Sequence, residues 1–453
     1  MNSIILYFFV VTFGITGVFS TFINAEHIIE LDLKRIKQLA LEHNKVIKNA
    51  KLDIKIAKNV VWETTSMGLP QIEGKLSYKD FTQIPTTLLP AKFIDPKAED
   101  GTFFPMKFGT QHSMSFEVSA SQLVFNGTYI VALQSSKIYM RLSKEGLIKS
   151  EIEVKSLVTG TYYLLLVTEN LKNILEENLK NLKKLHYETY ELYKAGFVEE
   201  TDADQIEYFV TKIKNRLNTT KSQIDITYKL LKFQIGFELD KKISVKGDIN
   251  SISSGIDYSS LLSKEFDYSK HIDFKMADTN VKSSSLLLKK EKSTFLPSLT
   301  AFMSHSQNAM RNEFNFFKDT EEKWFPSTVI GLNLNLPIFS SGKRIAKVKQ
   351  AKYNLEKSLN KRSDVSKSLQ LGFLNAKSSY MTAVGGKESS FRNLQIAKKI
   401  YEKTVEKFKK GVSSSIELIQ TYNQYLESQY AYSSALIVFL NSLTELQKYL
   451  DLL

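Results

Sequence analysis

Between residues 328 and 336 the chain reads TVIGLNLNL, and apolar and polar positions alternate. Leu332, Leu334 and Leu336 fall on one face of an extended segment; Gly331, Asn333 and Asn335 fall on the other. A period of two predicts a strand with one apolar side. Past Pro337 and Gly342 the spacing changes to that of a helix, in KRIAKVKQAKYNLEKSLNKR. The same unit occurs upstream. SMSFEVSASQLVFNGTYIVALQSSK (113–137) matches TVIGLNLNLPIFSSGKRIAKVKQAK (328–352), with Gly127 opposite Gly342, Ile130 opposite Ile345 and Lys137 opposite Lys352.

Two more landmarks recur. GLPQIEGKLSYKDF (68–81) and FLPSLTAFMSHS (295–306) each open an alternating strand with a Leu-Pro pair. LYKAGFVEETDADQI (192–206) corresponds to KFKKGVSSSIELIQT (407–421) around Gly196 and Gly411, and each glycine stands 69 residues beyond Gly127 or Gly342. An internal duplication follows. Sixty-nine helical residues make a path of about 100 Å, and neither 127–195 nor 342–410 contains a proline. Leu164, Val167, Leu171, Ile174, Leu175, Leu179 and Leu182 mark one packed stripe. The predicted organisation is a first repeat over 26–240, with strands at about 69–80 and 113–125, and a linker or equatorial segment over 241–280. A second repeat over 281–453 has strands at about 296–305 and 328–339. The tip turns lie at Gly196 and Gly411, and the strand-to-helix joints at Gly127, Pro337 and Gly342.

Each half thus has two strands of the length that crosses an outer membrane, roughly 9 to 11 residues, apolar outside and polar inside. Four strands cannot close a barrel, and open edges are not tolerated in lipid. Copies must therefore associate: two would give eight strands, three would give twelve. The expected loops, 82–112 and 306–327, are aromatic-rich, with Phe103, Phe104, Trp324 and Phe325 placed for an interfacial girdle.

Composition narrows the classes. Residues 4–19 are almost wholly apolar, which reads as a signal peptide over 1–25, cut after Ala25 or Ser20, since about 16 residues are short for a span of ~20. An uncleaved anchor helix is the alternative. The net charge of +13 comes from lysines spread along helices, with no nucleic-acid-binding module. The absence of cysteine excludes disulfides, thiolate metal sites, cysteine nucleophiles and N-terminal cysteine lipidation. Histidines 27, 43, 112, 186, 271 and 305 show no metal-ligand spacing, so no metal or other cofactor is expected. SSGKR is not a phosphate loop, because Pro337 stands where the leading Gly belongs and Arg344 where Ser or Thr is required. No nucleophile elbow or carboxylate pair appears, and no enzyme is expected.

The paired Leu-Pro strands, the joints FSSGKR and FNGTY, the turn KKGVSSSIELIQ and the segment HIDFKMADTNVKSSSLLLKKEKSTFLPSL (271–299) resemble the TolC-type outer-membrane efflux proteins. The resemblance runs through both halves after residue 26 and rests on order and spacing. It implies a homotrimer, mainly α with membrane β: an α-helical tunnel continuous with a twelve-stranded barrel, four strands per protomer, reaching from the outer membrane through the periplasm. It also implies a periplasmic adaptor and an inner-membrane pump of RND or ABC type. At the tips the family carries Gly with an acid six residues on, here Gly196 with Asp202 and Gly411 with Glu417. Three copies of Glu417 would form a cation-favouring aperture ring; alternatively Glu417 is a solvated first-turn acid. Gln420 stands where the family often has a second acid, and Phe408 and Ser413 stand where some members carry an aromatic and an arginine. The function implied is a passive exit duct for efflux or type I secretion. A secreted coiled-coil scaffold or adhesin without a pore is the competing expectation; a stand-alone porin would leave some 200 helical residues without a use.

Overall fold

The computed structural model describes residues 29–249, 252, 258–318, 321 and 323–453. The expected signal peptide at 1–25 lies outside the described residues. Strand β1 (Ile29–Leu31) leads to helices α1 (Leu33–His43) and α2 (Lys45–Ser66). Then come β2 (Gln71–Asp80), β3 (Thr86–Pro90), β4 (Phe103–Lys107) and β5 (His112–Asn126). Two helices follow, α3 (Gly127–Lys194) and α4 (Glu200–Gln234), and then β6 (Ile243–Val245), α5 (Tyr258–Leu262) and α6 (Ile272–Ser293). The chain ends with β7 (Ser298–Arg311), β8 (Phe325–Asn335), α7 (Lys343–Lys409) and α8 (Ser415–Tyr449).

The long helices run unbroken because nothing in them removes a backbone donor or stiffens the chain against a turn. Helix α3 starts on the last residue of β5: the Asn126 side chain accepts from Thr128 N at 2.9 Å and Tyr129 N at 3.1 Å, which satisfies the first free donors. Gly127 is buried there, and a Cβ on it would lie 2.7 Å from Leu296 Cδ1 and 3.3 Å from the Ser293 carbonyl oxygen. Only glycine lets the strand turn into helix so close to the end of α6.

The half-length helices stack in pairs to match the full-length ones. Asn44, between α1 and α2, donates from Nδ2 to the Gln234 carbonyl at 2.6 Å, so α4 ends where α2 begins. His271, the cap of α6, stacks on Tyr449 of α8 with ring centroids 5.8 Å apart. In the half toward the turns, α3 packs between α4 and α8, and α8 packs on α7; toward the sheet, α3 packs on α2 and α6, and α6 on α7. The core has two main parts. One, around Val158, Leu165, Tyr380, Phe439 and Leu440, sits where the stacked helices meet. The other, around Leu175, Leu182, Ile213, Leu418 and Tyr422, lies toward the turns. Burial of each such side chain stabilises by about 1.5–3 kcal/mol. Within the second cluster, buried Asn178 donates to Gln429 at 2.8 Å, which fixes the register of α3 against α8.

The sheet is antiparallel in the order β2-β5-β7-β8, and β2 and β8 are free edges. Strand β7 runs to Arg311, past the expected end at 305, because Ser306–Arg311 continues the ladder with β5. The apolar face there is occupied by His305 and Gln307, so the sequence shows no alternation. Strand β8 spans 325–335 and not 328–339: residues 325–327 pair with β7, whereas Leu336 and Pro337 have left the ladder. Strand β2 begins at Gln71 and not at residue 69. The expected loop 82–112 holds a hairpin, β3 with β4. Within the expected linker 241–280, β6 pairs in parallel with β1, and α6 begins at Ile272 because His271 Nδ1 accepts from Asp273 N at 3.2 Å.

Candidate functional site: a two-faced sheet and the helical turns

Cross-strand register gives the sheet two chemically distinct faces. One carries six rungs: Leu299–Leu334; Gln122–Ala301–Leu332; Ile72–Ala120–Met303–Ile330; Gly74–Val118–His305–Thr328; Leu76–Phe116–Gln307–Pro326; and Tyr78–Met114–Ala309. Two residues per rung at a strand tilt near 40° give about 5 Å of height each, hence a band of about 25 Å. Below the top rung its large apolar side chains stand bare, with Ile72 at 73 % and Ile330 at 77 % exposure, an arrangement that water penalises and a lipid phase does not. The opposite face is mostly hydroxyl and amide: Ser119 and Ser304 share a rung with Glu73, and Ser306 and Ser327 share one with Lys75 and Glu117.

The polar intrusion in the fourth and fifth rungs is internally satisfied. His305 Nδ1 and Thr328 Oγ1 are 2.8 Å apart, and Gln307 Nε2 lies 3.3 Å from His305 Nε2. At the top rung, Phe316 and Trp324 from the β7–β8 loop pack on Met114 and Ala309, and Phe314 meets the Tyr78 ring edge-on at 5.4 Å. The aromatic cluster at this rim is therefore Tyr78, Phe314, Phe316 and Trp324. Phe325 instead lies on the polar face opposite Asn308, and Phe103 and Phe104 are on the separate hairpin.

At the other end both turns have one design. After α3, Gly196 has φ +76°, its N–H donates to the Tyr193 carbonyl at 2.9 Å, and Phe197 N donates to the Leu192 carbonyl at 2.9 Å. After α7, Gly411 has φ +71°, and it and Val412 donate to the Phe408 and Lys407 carbonyls at 2.9 Å. The left-handed residue that this closure needs is glycine without strain. The two acids occupy the same position in the helices that follow. Asp202 Oδ2 accepts from Glu199 N at 3.1 Å. Glu417 N donates to the Ser414 cap at 3.2 Å, and Glu417 Oε2 accepts from Ser413 Oγ at 2.6 Å. Both acids thus serve the starts of their helices, where the helix dipole favours negative charge. The capping Ser414 was not singled out in the sequence, although Ser414-x-x-Glu417 is the spacing of a capping box. Glu417 and Gln420 are exposed and begin a polar stripe on α8 that continues through Gln424 and Glu427.

Between α3 and α7 runs a groove of about 840 Å³ whose floor is α8. Tyr401, Tyr422 and Tyr425 line it, with the Tyr401 and Tyr425 rings stacked at 5.5 Å. Burial, and then the neighbouring Tyr425, pushes the Tyr401 hydroxyl up to about 12, so this wall stays neutral. The rim is charged: Lys409 on α7 pairs with Glu188 on α3 at 2.8 Å beside the turns. The flanks of the helical slab carry bare apolar stripes, Ile226, Leu230 and Phe233 on α4, and Leu371, Leu374 and Met381 on α7. Of the two joints, Gly127 is packed as described, while Gly342 opens α7 in open space and the Pro337 carbonyl accepts from Arg344 Nη1 at 3.2 Å. Among the described residues no group of His, Asp and Glu could hold a metal ion, and no helix is long and apolar enough to cross a membrane.

Comparison with known proteins places this geometry. Residues 269–451 match the family described as outer membrane efflux protein. No curated protein sequence matches the chain. Among solved structures, the fold is similar to the CmeC outer membrane channel of Campylobacter jejuni, with TM-score 0.71 and 19 % identity over 92 % of this chain and 85 % of that one. It is also similar to the outer membrane protein VceC of Vibrio cholerae, with TM-score 0.70 and 12 % identity over 92 % and 95 %. The open state of the MtrE outer membrane channel of Neisseria gonorrhoeae matches with TM-score 0.66 and 16 % identity over 92 % and 88 %.

Proposed function

We propose that this chain, whose residues 269–451 match the outer membrane efflux protein family, is the outer-membrane exit duct of an efflux or secretion machine and not an enzyme. Three copies close their sheets edge to edge, β8 of one against β2 of the next, into a twelve-stranded barrel. The stacked and full-length helices prolong it as a tunnel into the periplasm. The two halves, 26–240 and 281–453, are structural repeats joined by an equatorial segment over 241–280. One observation carries the reading: a six-rung apolar face of about 25 Å, open at both edges, sits on rods of about 100 Å. A barrel needs at least eight strands, so one chain cannot seal itself in lipid. The apolar stripes on α4 and α7 supply a matching contact between copies below the barrel.

In this reading the duct is passive. Energy comes from an inner-membrane pump of RND or ABC type, and a periplasmic adaptor opens the tip. The groove between α3 and α7 suits a helical hairpin of that adaptor, with neutral aromatics on its wall and charge along its rim. At the aperture three copies of Glu417, with Gln420 one turn on, favour cations. Purified protein added to planar lipid bilayers is expected to give discrete conducting steps. Absence of any channel, together with recovery from cells without detergent, would overturn the proposal in favour of a secreted scaffold.

A further inference from the structure

We propose that the β3–β4 hairpin closes the outer mouth of the duct by packing against its counterparts from the other two copies; this rests on the trimeric reading above. The hairpin continues the β2–β5 ribbon past the sheet's rim, where Phe81 N donates to the Gln111 carbonyl at 2.7 Å. Its stems pair from Thr86 opposite Lys107 to Pro90 opposite Phe103. Both faces are apolar: Leu88 shares one with Phe103, and Leu89 shares the other with Phe104. Leu88 is 61 % exposed and Phe103 58 %. Charge is confined to Lys107 and to the tip, where Lys92 pairs with Asp100. The stems pack chiefly on each other. A two-stranded ribbon with bare apolar side chains on both faces is at best marginal in water, so its stability calls for a cover.

The structure also limits which way the ribbon can lean. On the apolar side of the sheet its base is occupied, because Phe314 and Phe316 pack around Tyr78, two residues before β2 ends. The free side is the polar one, over the lumen. Twelve strands about 4.8 Å apart at a tilt near 40° give a circumference of about 75 Å and a radius of about 12 Å. Three upright ribbons on that circle would stand about 21 Å apart at their bases, with both faces wet. A five-residue stem of about 16 Å exceeds the radius. Leaning inward, the three stems therefore meet on the axis, with their apolar faces against one another and their charged tips reaching past into water.

The cysteine-free chain allows a clean test. Leu88→Cys in purified trimers is expected to give a disulfide-linked dimer as the main product of mild oxidation. In intact cells, Ser115→Cys on the polar face of β5 is expected to be shielded from a polyethylene-glycol maleimide added outside. Replacement of 86–107 by a short Gly-Ser turn should speed that labelling about ten-fold, the effect of a lid favoured by about 1.4 kcal/mol. Trimers that do not cross-link, and label equally fast with or without the hairpin, would overturn this proposal and leave the duct intact. Purified protein that forms no trimers would overturn the duct reading and this proposal together.

Discussion

Ile330 and Ser304 lie on neighbouring strands and opposite faces, so lysine at each isolates what the faces meet. Ile330 stands on the third of the six rungs, 77 % exposed. At about 5 Å per rung it sits roughly 10 Å above the lowest rung and 15 Å below the highest, near the middle of the band. A lysine at mid-depth on the lipid face of a barrel costs about 2–4 kcal/mol, falling toward zero at the interfaces. The long side chain can bend toward the headgroups, which favours the lower figure. Ser304 pairs with Val329 on the other face, and lysine there enters a wet interior, where a change within about 0.5 kcal/mol is expected. The assay is urea-dependent folding into lipid vesicles, followed by the fluorescence of Trp62 and Trp324 and by gel mobility without heating. Ile330→Lys should lower folding stability by at least about 2 kcal/mol per copy more than Ser304→Lys. Equal effects, or the reverse order, would refute the assignment of the apolar face to lipid.

Three further outcomes are expected. Glu417→Gln removes a carboxylate worth about 0.5 kcal/mol to a cation some 8 Å away in water; the reversal potential in a potassium chloride gradient should move toward zero, most at low salt. Lys409→Glu sets like charges across the α3–α7 contact; a partly exposed pair of this kind is worth about 0.5–1 kcal/mol, so open probability in bilayers should rise roughly two- to five-fold. Burial holds the His271 imidazole below its ordinary value, reinforced by Lys448 and Lys149 and opposed by Asp273 and Asp451. The unfolded chain then binds more protons just below the ordinary histidine value, so thermal stability should be full above it and fall as pH drops toward the lower folded value. His271→Asn keeps a helix cap and should flatten that slope in thermal melts.

The parts that could be read from sequence are those where one local rule acts alone. The extent of α3 and of α7 follows from proline-free stretches closed by Gly196 and Gly411. Strand faces are legible where a polar row meets an apolar one, as at Leu332 and Asn333. They disappear at Ser306–Arg311, because His305 and Gln307 interrupt the apolar row and satisfy each other through side chains. The β3–β4 hairpin was unreadable for a related reason: TTLLP and FFPMK are apolar on both faces and carry no period. The three-residue pair β1–β6 is too short to show one. At the turns the glycines were visible, whereas the capping partners Glu199 and Ser414 explain why an acid follows six residues later. The groove is a non-local product of α3, α7 and α8, and no stretch of sequence contains it.

Electron cryo-microscopy of the full chain in lipid nanodiscs addresses the central claim most directly. Three copies should surround one axis, with β8 of each hydrogen-bonded to β2 of the next and the Ile72–Ile330 rung facing lipid. A single water-exposed copy, or a sheet whose apolar rungs are covered by protein, would contradict it.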